Sequence, residues 1–333
     1  MEIMSNQHAT NYCIFCKSKD SKRLYPVTDI FNDQYTLNQC NNCQVIFLSP
    51  HPTEAQLNRA YDDTYYGEGT EKFNLIIEGV LDIFRSRRSS FLSKHLKTDA
   101  RVLDIGCGNG RFLQYLGTKG NFELHGTERE GNSALRAAQI AGIRLRVGSL
   151  KQNTYPSDYF DAITLFHVFE HIDNPAEILQ IIQKILKPGG VLVMSFPNIN
   201  SWQARWFKGD WFHLDPPRHL FYFKPIDFIV LMQLRGFELI HEHYLSFEQN
   251  PYSLVQSILN KVSPRRELLF EFFKGNKAYI KGYPFYKFIF HILFFLAFIP
   301  FALLSDIMAS AIKRGATVQL TFIKKPSGKD GEK

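Results

Sequence analysis

The sequence predicts an α/β fold: a doubly wound, mostly parallel seven-stranded sheet, preceded by a small four-cysteine module and carrying an aromatic helical insertion near the C-terminus. Three observations carry this reading. Between Arg101 and Phe247, apolar runs alternate with segments of helical length, the pattern of parallel strands joined by right-handed crossovers. Four of the five cysteines form two CxxC pairs, Cys13/Cys16 and Cys40/Cys43. The stretch from Phe288 to Leu304 carries no charge.

In chain order, residues 1–50 hold the cysteine pairs and short apolar runs such as Val45–Leu48, ended by Pro50 and Pro52. Residues 51–100 read as a helical lid and linker, with a Tyr-rich stretch at Tyr61–Gly69 and a helix at Leu75–Leu96. The core, residues 101–247, is read as strands at Arg101–Ile105, Phe122–Glu128, Ile143–Val147, Phe160–Phe166, Val191–Phe196 and Phe237–Phe247. Helices fall at Arg111–Leu116, Asn132–Ala141, Pro175–Leu186 and Pro225–Arg235, several of them closed by glycine. Residues 248–315 form the insertion, and residues 316–333 a closing strand and a polar tail.

A hydrophobic fraction of 45% and a charged fraction of 21% are ordinary for a soluble globular protein and do not point to disorder. A formal charge of +7 favours anionic partners. Met1–Thr10 is polar and lacks an apolar core, so no secretory signal is read, and the cytoplasm is the expected compartment.

Chemistry concentrates in four places. Val102-Leu103-Asp104-Ile105-Gly106-Cys107-Gly108-Asn109-Gly110 is a strand running into a glycine turn that opens a helix. Its G-x-G-x-G spacing and Asp104 suit a ligand with cationic groups better than a pyrophosphate. Glu128 ends the next strand, where a carboxylate can take both hydroxyls of a ribose. Beyond the fourth strand lies His167-Val168-Phe169-Glu170-His171-Ile172, and further on Asp215-Pro216-Pro217-Arg218-His219, whose double proline predicts a rigid loop that projects Arg218 and His219. The cysteine pairs can close a tetrahedral zinc site, although Lys17 and Gln44 stand where such knuckles often have glycine.

On its VLDIGCGNG, HVFEHI, KPGG and PRHL elements, over about Arg101 to Glu238, the sequence resembles the class I S-adenosylmethionine-dependent methyltransferases, here with an N-terminal zinc-ribbon-like module. The resemblance implies a Rossmann-like fold and S-adenosylmethionine as cofactor, with structural zinc held by Cys13, Cys16, Cys40 and Cys43. It gives Asp104, Gly106, Gly108 and Gly110, with Cys107 among them, to the methionine portion and Glu128 to the ribose. Ser149 falls beside the adenine, and Phe166 and His167 face the cofactor. His171, His219 and Glu170 are the catalytic candidates, and Tyr65 and Tyr66 are candidates for a lid. In some quinone-type relatives a segment similar to HVFEHI is implicated in binding a divalent metal; His167 here replaces its first Glu, which speaks against that role.

The expected reaction is methyl transfer to a hydroxyl of a small or lipid-linked acceptor, such as a glycan intermediate, a polyprenyl compound or another amphiphile. The alternatives are C-methylation of a nucleotide sugar and methylation of an RNA base. The absence of an Asn-Pro-Pro motif, with Phe196-Pro197-Asn198 in its place, weighs against nucleic acid. The closing strand at Ala316–Ile323 was expected to pair antiparallel with Phe237–Phe247. That pairing excludes a simple membrane crossing by the run between them. An insertion bent near Pro300 and lying on an anionic membrane surface, with the chain peripheral on its inner face, meets both constraints.

Overall fold

The computed structural model describes residues 12–61 and 75–326. Tyr65 and Tyr66, the lid candidates, lie outside these residues.

The central strands form because their apolar residues are buried on both faces, as parallel sheets require. In β4 (Arg101–Ile105), Val102 and Leu103 are wholly inaccessible to solvent, as are Ala162, Ile163 and Leu165 in β7 (Phe160–Phe166). With β5 (Glu123–Glu128), β6 (Ile143–Val147), β8 (Leu186–Pro197), β10 (Phe237–His243) and β11 (Thr317–Lys324), they make a seven-stranded sheet in the order β10-β11-β8-β7-β4-β5-β6. Strands β4 to β8 run parallel, and β11 enters antiparallel between β8 and β10. The strand order reverses between β4 and β7, so the crevice for a ligand lies beyond the C-terminal ends of those two strands.

The expected strands and helices of the core recur with end shifts that have local causes. β8 begins at Leu186 rather than Val191, because Leu186 already pairs with Phe160 before an irregularity in the ladder. β10 ends at His243 rather than Phe247, and the chain then turns away to start the insertion.

A second, four-stranded antiparallel sheet joins β1 (Ser21–Thr28), β2 (Gln34–Cys40) and β3 (Ile46–Ser49) to β9 (Phe221–Tyr222). The cysteine segment is thereby stitched to the core: Ile46 and Phe47 pair with Tyr222 and Phe221, and the Phe15 ring meets Phe223 edge-on at 5.6 Å.

Helices α1 (Glu54–Ala60) and α2 (Leu75–Ser93) precede the sheet. α3 (Arg111–Gly117), α4 (Asn132–Ala138), α5 (Pro175–Ile185), α6 (Trp202–Phe207) and α7 (Pro225–Gln233) follow within it. The insertion holds α8 (Asn250–Val262), α9 (Leu268–Phe273), α10 (Lys277–Ile280) and α11 (Phe285–Ala311). α11 runs through Pro300 as one helix of 27 residues. Phe295, Phe298, Ile299 and Ala302, on either side of the proline, pack against Leu254, Val255 and Leu259 of α8.

Candidate functional site

At the end of β4 the chain turns through Gly106, Gly108 and Gly110, with φ of 69°, 57° and 76°. A Cβ at Gly106 would meet Val168 Cγ2 at 2.5 Å, so close packing of two loops requires glycine there. A Cβ at Gly108 would meet nothing within 4 Å, so the loop borders open space at that point. Glu128 reaches back from the neighbouring strand, its Oε2 accepting from the Gly108 amide at 2.6 Å and its Oε1 from the Arg129 amide at 3.0 Å.

Asp104 is buried at the strand end, where the Thr164 hydroxyl donates to its Oδ1 at 2.6 Å. Burial pushes the Asp104 carboxyl up to about 7, with the charge of Glu128 adding to the rise and the Thr164 hydrogen bond opposing it. A buried carboxyl of this kind gains by meeting a cation. Together with the open glycine turn and Glu128, it fits S-adenosylmethionine, whose methionine end is cationic and whose ribose offers two hydroxyls. The side chain of Cys107 turns into the core, where a Cβ on Gly126 would lie 2.7 Å from its Sγ; burial pushes its thiol up. Ser149 is exposed just beyond β6. Phe166 packs on Phe112, with the Arg88 guanidinium over its ring at 5.1 Å.

The two histidine segments, apart in sequence, come together beyond β7. The Leu220 amide donates to the Glu170 carbonyl at 2.9 Å and ties the loops. Ligating atoms of Glu170, His171 and His219 all lie within 4.8 Å of one another. Glu170 is 1% exposed, with His167 Nδ1 at 3.5 Å and His219 Nε2 at 4.0 Å. Burial alone would raise the Glu170 carboxyl, but the neighbouring imidazoles, His167 foremost, bring it down to about 2. Burial, reinforced by His219, lowers His171 to about 4, and burial lowers His213 to about 3.

His219 Nδ1 lies 2.8 Å from the His213 carbonyl, an acceptor, so this nitrogen carries the hydrogen. Nε2 then faces Asp215 at 3.7 Å and Glu170. Arg218 and His219 do not project from the double-proline loop as expected. Both are buried, the Arg218 guanidinium donating to Asp215 and, at 3.1 Å, to the Ala60 carbonyl. Partners that satisfy a planar cation make the inward position tolerable. The sequence reading missed Asp215, Thr164 and Tyr61; a carboxylate three residues before Arg218 was the available signal for the first.

A cleft of about 400 Å³ adjoins this cluster, walled by α2, β10 and β11. Its polar lining includes Arg87, His167, His241 and His243 and the ion pair of Arg88 with Glu248, and Phe84, Phe91 and Phe247 supply its aromatic lining. His167, held at φ 55° with its amide on the Ser195 carbonyl, is common to cleft and cluster.

The four cysteine sulfurs lie within 4.8 Å of one another. Cys13–Cys43 and Cys16–Cys40 Sγ separations are both 3.5 Å, against about 3.8 Å around tetrahedral zinc. Each CxxC turn closes alike: the Lys17 amide meets the Cys13 carbonyl at 2.9 Å, and the Gln44 amide the Cys40 carbonyl at 3.0 Å. Lys17 and Gln44 take φ of 61° and 62°, so both knuckles form without glycine.

A family model described as "Methyltransferase domain" matches residues 82–242. An uncharacterized methyltransferase of Schizosaccharomyces pombe is 26% identical over 147 residues, 40% of this chain and 52% of that protein. A mitochondrial ubiquinone biosynthesis O-methyltransferase of Dictyostelium discoideum is 30% identical over 112 residues, 29% of this chain and 35% of that protein. The chain thus spans about half or less of these two relatives. Among solved structures, a putative sarcosine dimethylglycine methyltransferase of Galdieria sulphuraria aligns with a TM-score of 0.47 at 13% identity, covering 81% of this chain and 97% of that one. Residues 82–242, just under half of the chain, carry the features of an S-adenosylmethionine-dependent methyltransferase domain.

Proposed function

We propose that the chain transfers a methyl group from S-adenosylmethionine to a hydroxyl of an amphiphilic acceptor, with the proton received by the histidine cluster. The observation that carries this reading is the meeting of Glu170, His171 and His219 next to His167, which also lines the cleft walled by α2, β10 and β11. Bound S-adenosylmethionine supplies an electrophilic methyl carbon and a leaving group that departs neutral, so no acid is required. Asp104 and the amides of the Gly106–Gly110 turn hold the methionine end, and Glu128 the ribose. The residues that remain must orient a hydroxyl and take its proton.

His219 is suited to that task. Its Nδ1–H is fixed on the His213 carbonyl, and a proton arriving at Nε2 sits between the carboxylates of Asp215 and Glu170. Glu170, ionised down to about pH 2, and the neutral His171 position the ring, while His167 faces the acceptor in the cleft. The mixed aromatic and polar lining suits an acceptor with an apolar body and a polar head. Similarity to ubiquinone O-methyltransferases supports oxygen as the methylated atom. We assign Cys13, Cys16, Cys40 and Cys43 a structural zinc: four thiolates close the coordination sphere and leave no position for catalysis.

The test is incubation of the protein with radiolabelled S-adenosylmethionine and a bacterial extract, followed by phase partition. Counts in the organic phase that are lost with His219→Gln support the reading. Counts confined to soluble sugars or to RNA overturn the acceptor class, and unchanged counts with His219→Gln overturn the assignment of the base.

A further inference from the structure

By length and composition α11 could span a membrane, yet it lies along the surface of a folded core. Between Lys287 and the buried Asp306 it has no charged side chain. Phe290, Leu293, Leu296, Phe301 and Leu304 recur at helical spacing and are 53%, 60%, 60%, 58% and 56% exposed. The opposite face is occupied: His291, Ala302, Asp306 and Ala309 are buried, and Phe295 and Phe298 meet α8.

We propose that this outer face docks in the interfacial layer of an anionic phospholipid membrane, with the helix parallel to the surface. Neither this surface nor its test depends on the methyl-transfer reading. A protein partner would need hydrogen-bonding groups at roughly one per 100–200 Å² of contact, and the exposed stripe presents none. Hydrocarbon asks for none. Cations stand at the helix ends, where headgroups lie: Lys281 and Lys287 are exposed before and within the first turn, and Lys313 follows the last. Crossing is excluded by the ladder beneath. β10 pairs with β11 from Phe237–Lys324 to His243–Gln319, so both ends of the insertion stay on one side, and α8 covers the inner face.

The docked helix is fixed to the cleft. Asp306 accepts from the Ser246 amide at 3.2 Å and from Asn250 Nδ2 at 2.7 Å, and Ser246 lines the cleft wall. An acceptor resident in the bilayer would therefore meet the cleft at the headgroup level.

Flotation of the full chain tests this, with vesicles of phosphatidylcholine alone and of phosphatidylcholine with phosphatidylglycerol. The protein is expected to float with the anionic vesicles, and Phe290→Glu with Leu293→Glu to lower binding about tenfold or more, with melting and S-adenosylmethionine affinity unchanged. Lys281→Glu with Lys287→Glu should erase the preference for phosphatidylglycerol, about fivefold per lysine at low salt. A wild-type chain that stays in the aqueous fraction overturns the proposal. If it then runs as a dimer by light scattering and Phe290→Glu makes it monomeric, the face is a contact between copies.

Discussion

The Tyr61 hydroxyl lies 3.0 Å from His171 Nδ1, and the Arg129 guanidinium stacks on the Tyr61 ring at 4.3 Å. Arg129 directly follows Glu128, whose carboxylate holds the glycine turn. One aromatic side chain thus touches both the residue that follows Glu128 and the histidine cluster. Tyr61→Phe keeps the ring and removes the hydroxyl. Turnover should fall about tenfold while S-adenosylmethionine affinity stays within about twofold. Equal turnover of variant and wild type would reduce the contact to packing.

Asp104 ties cofactor affinity to pH. With its carboxyl at about 7 in the free protein, a cationic ligand must displace a proton below that pH. Affinity measured by calorimetry should rise as pH increases through 7 and fall about tenfold per unit well below it. The stability effect has the opposite sense. A carboxyl raised in the folded state stabilises below its unfolded value near 3.8 and loses that contribution as pH rises toward 7. Asp104→Asn, which keeps the acceptor for Thr164, should therefore bind S-adenosylmethionine poorly yet melt at a higher temperature than wild type at pH 8. A lower melting temperature would show that the carboxylate is structurally compensated.

The lowered pKa values of His171 and His213 act on the acid side. Their unfolded forms take up protons below about 6.5, whereas the folded forms resist to about 4 and 3. Stability should decline as pH falls from 6.5 toward 4, and His171→Asn should flatten that decline in a melting series.

Two glycines of the same turn separate fold from binding. Gly106→Ala drives a methyl into Val168 at a positive φ and should destabilise by about 1–3 kcal/mol, visible as lost soluble yield or a lower melting point. Gly108→Ala meets no neighbour and should cost about 1 kcal/mol from φ alone, yet it should weaken S-adenosylmethionine binding far more than Gly106→Ala weakens it per unit of lost stability. Equal binding by Gly108→Ala and wild type would place the cofactor elsewhere.

Metal analysis should return about one zinc per chain, lost in Cys13→Ser with Cys40→Ser. Because β3 pairs with β9 and Phe15 packs on Phe223, zinc loss should lower the melting of the whole protein rather than of the module alone. Two separate transitions would contradict that coupling.

The strands and the glycine turn were legible because continuous apolar runs and G-x-G-x-G report local requirements of the backbone. The pairing of β11 with β10 was legible for a similar reason, since Thr317–Lys324 is a polar-flanked run of β-branched and apolar residues. What the sequence could not reveal were long-range satisfactions. Nothing near Arg218 announces that its guanidinium turns inward to the Ala60 carbonyl, far back in the chain. The two residues of β9 carry no periodicity, and their strand exists only because β3 offers an edge.

The ladder between β10 and β11 makes the insertion a cassette. The last rung, His243 with Gln319, closes below it, and Asn250 and Asp306 latch its two ends together. Above the latch, α8 also braces the loop that carries His213: the Ser257 hydroxyl accepts from the Phe212 amide at 2.9 Å, and Asn260 Nδ2 donates to the Asp210 carbonyl at 3.3 Å. The cassette and the histidine loop therefore share one scaffold, and a change in the first is carried into the second.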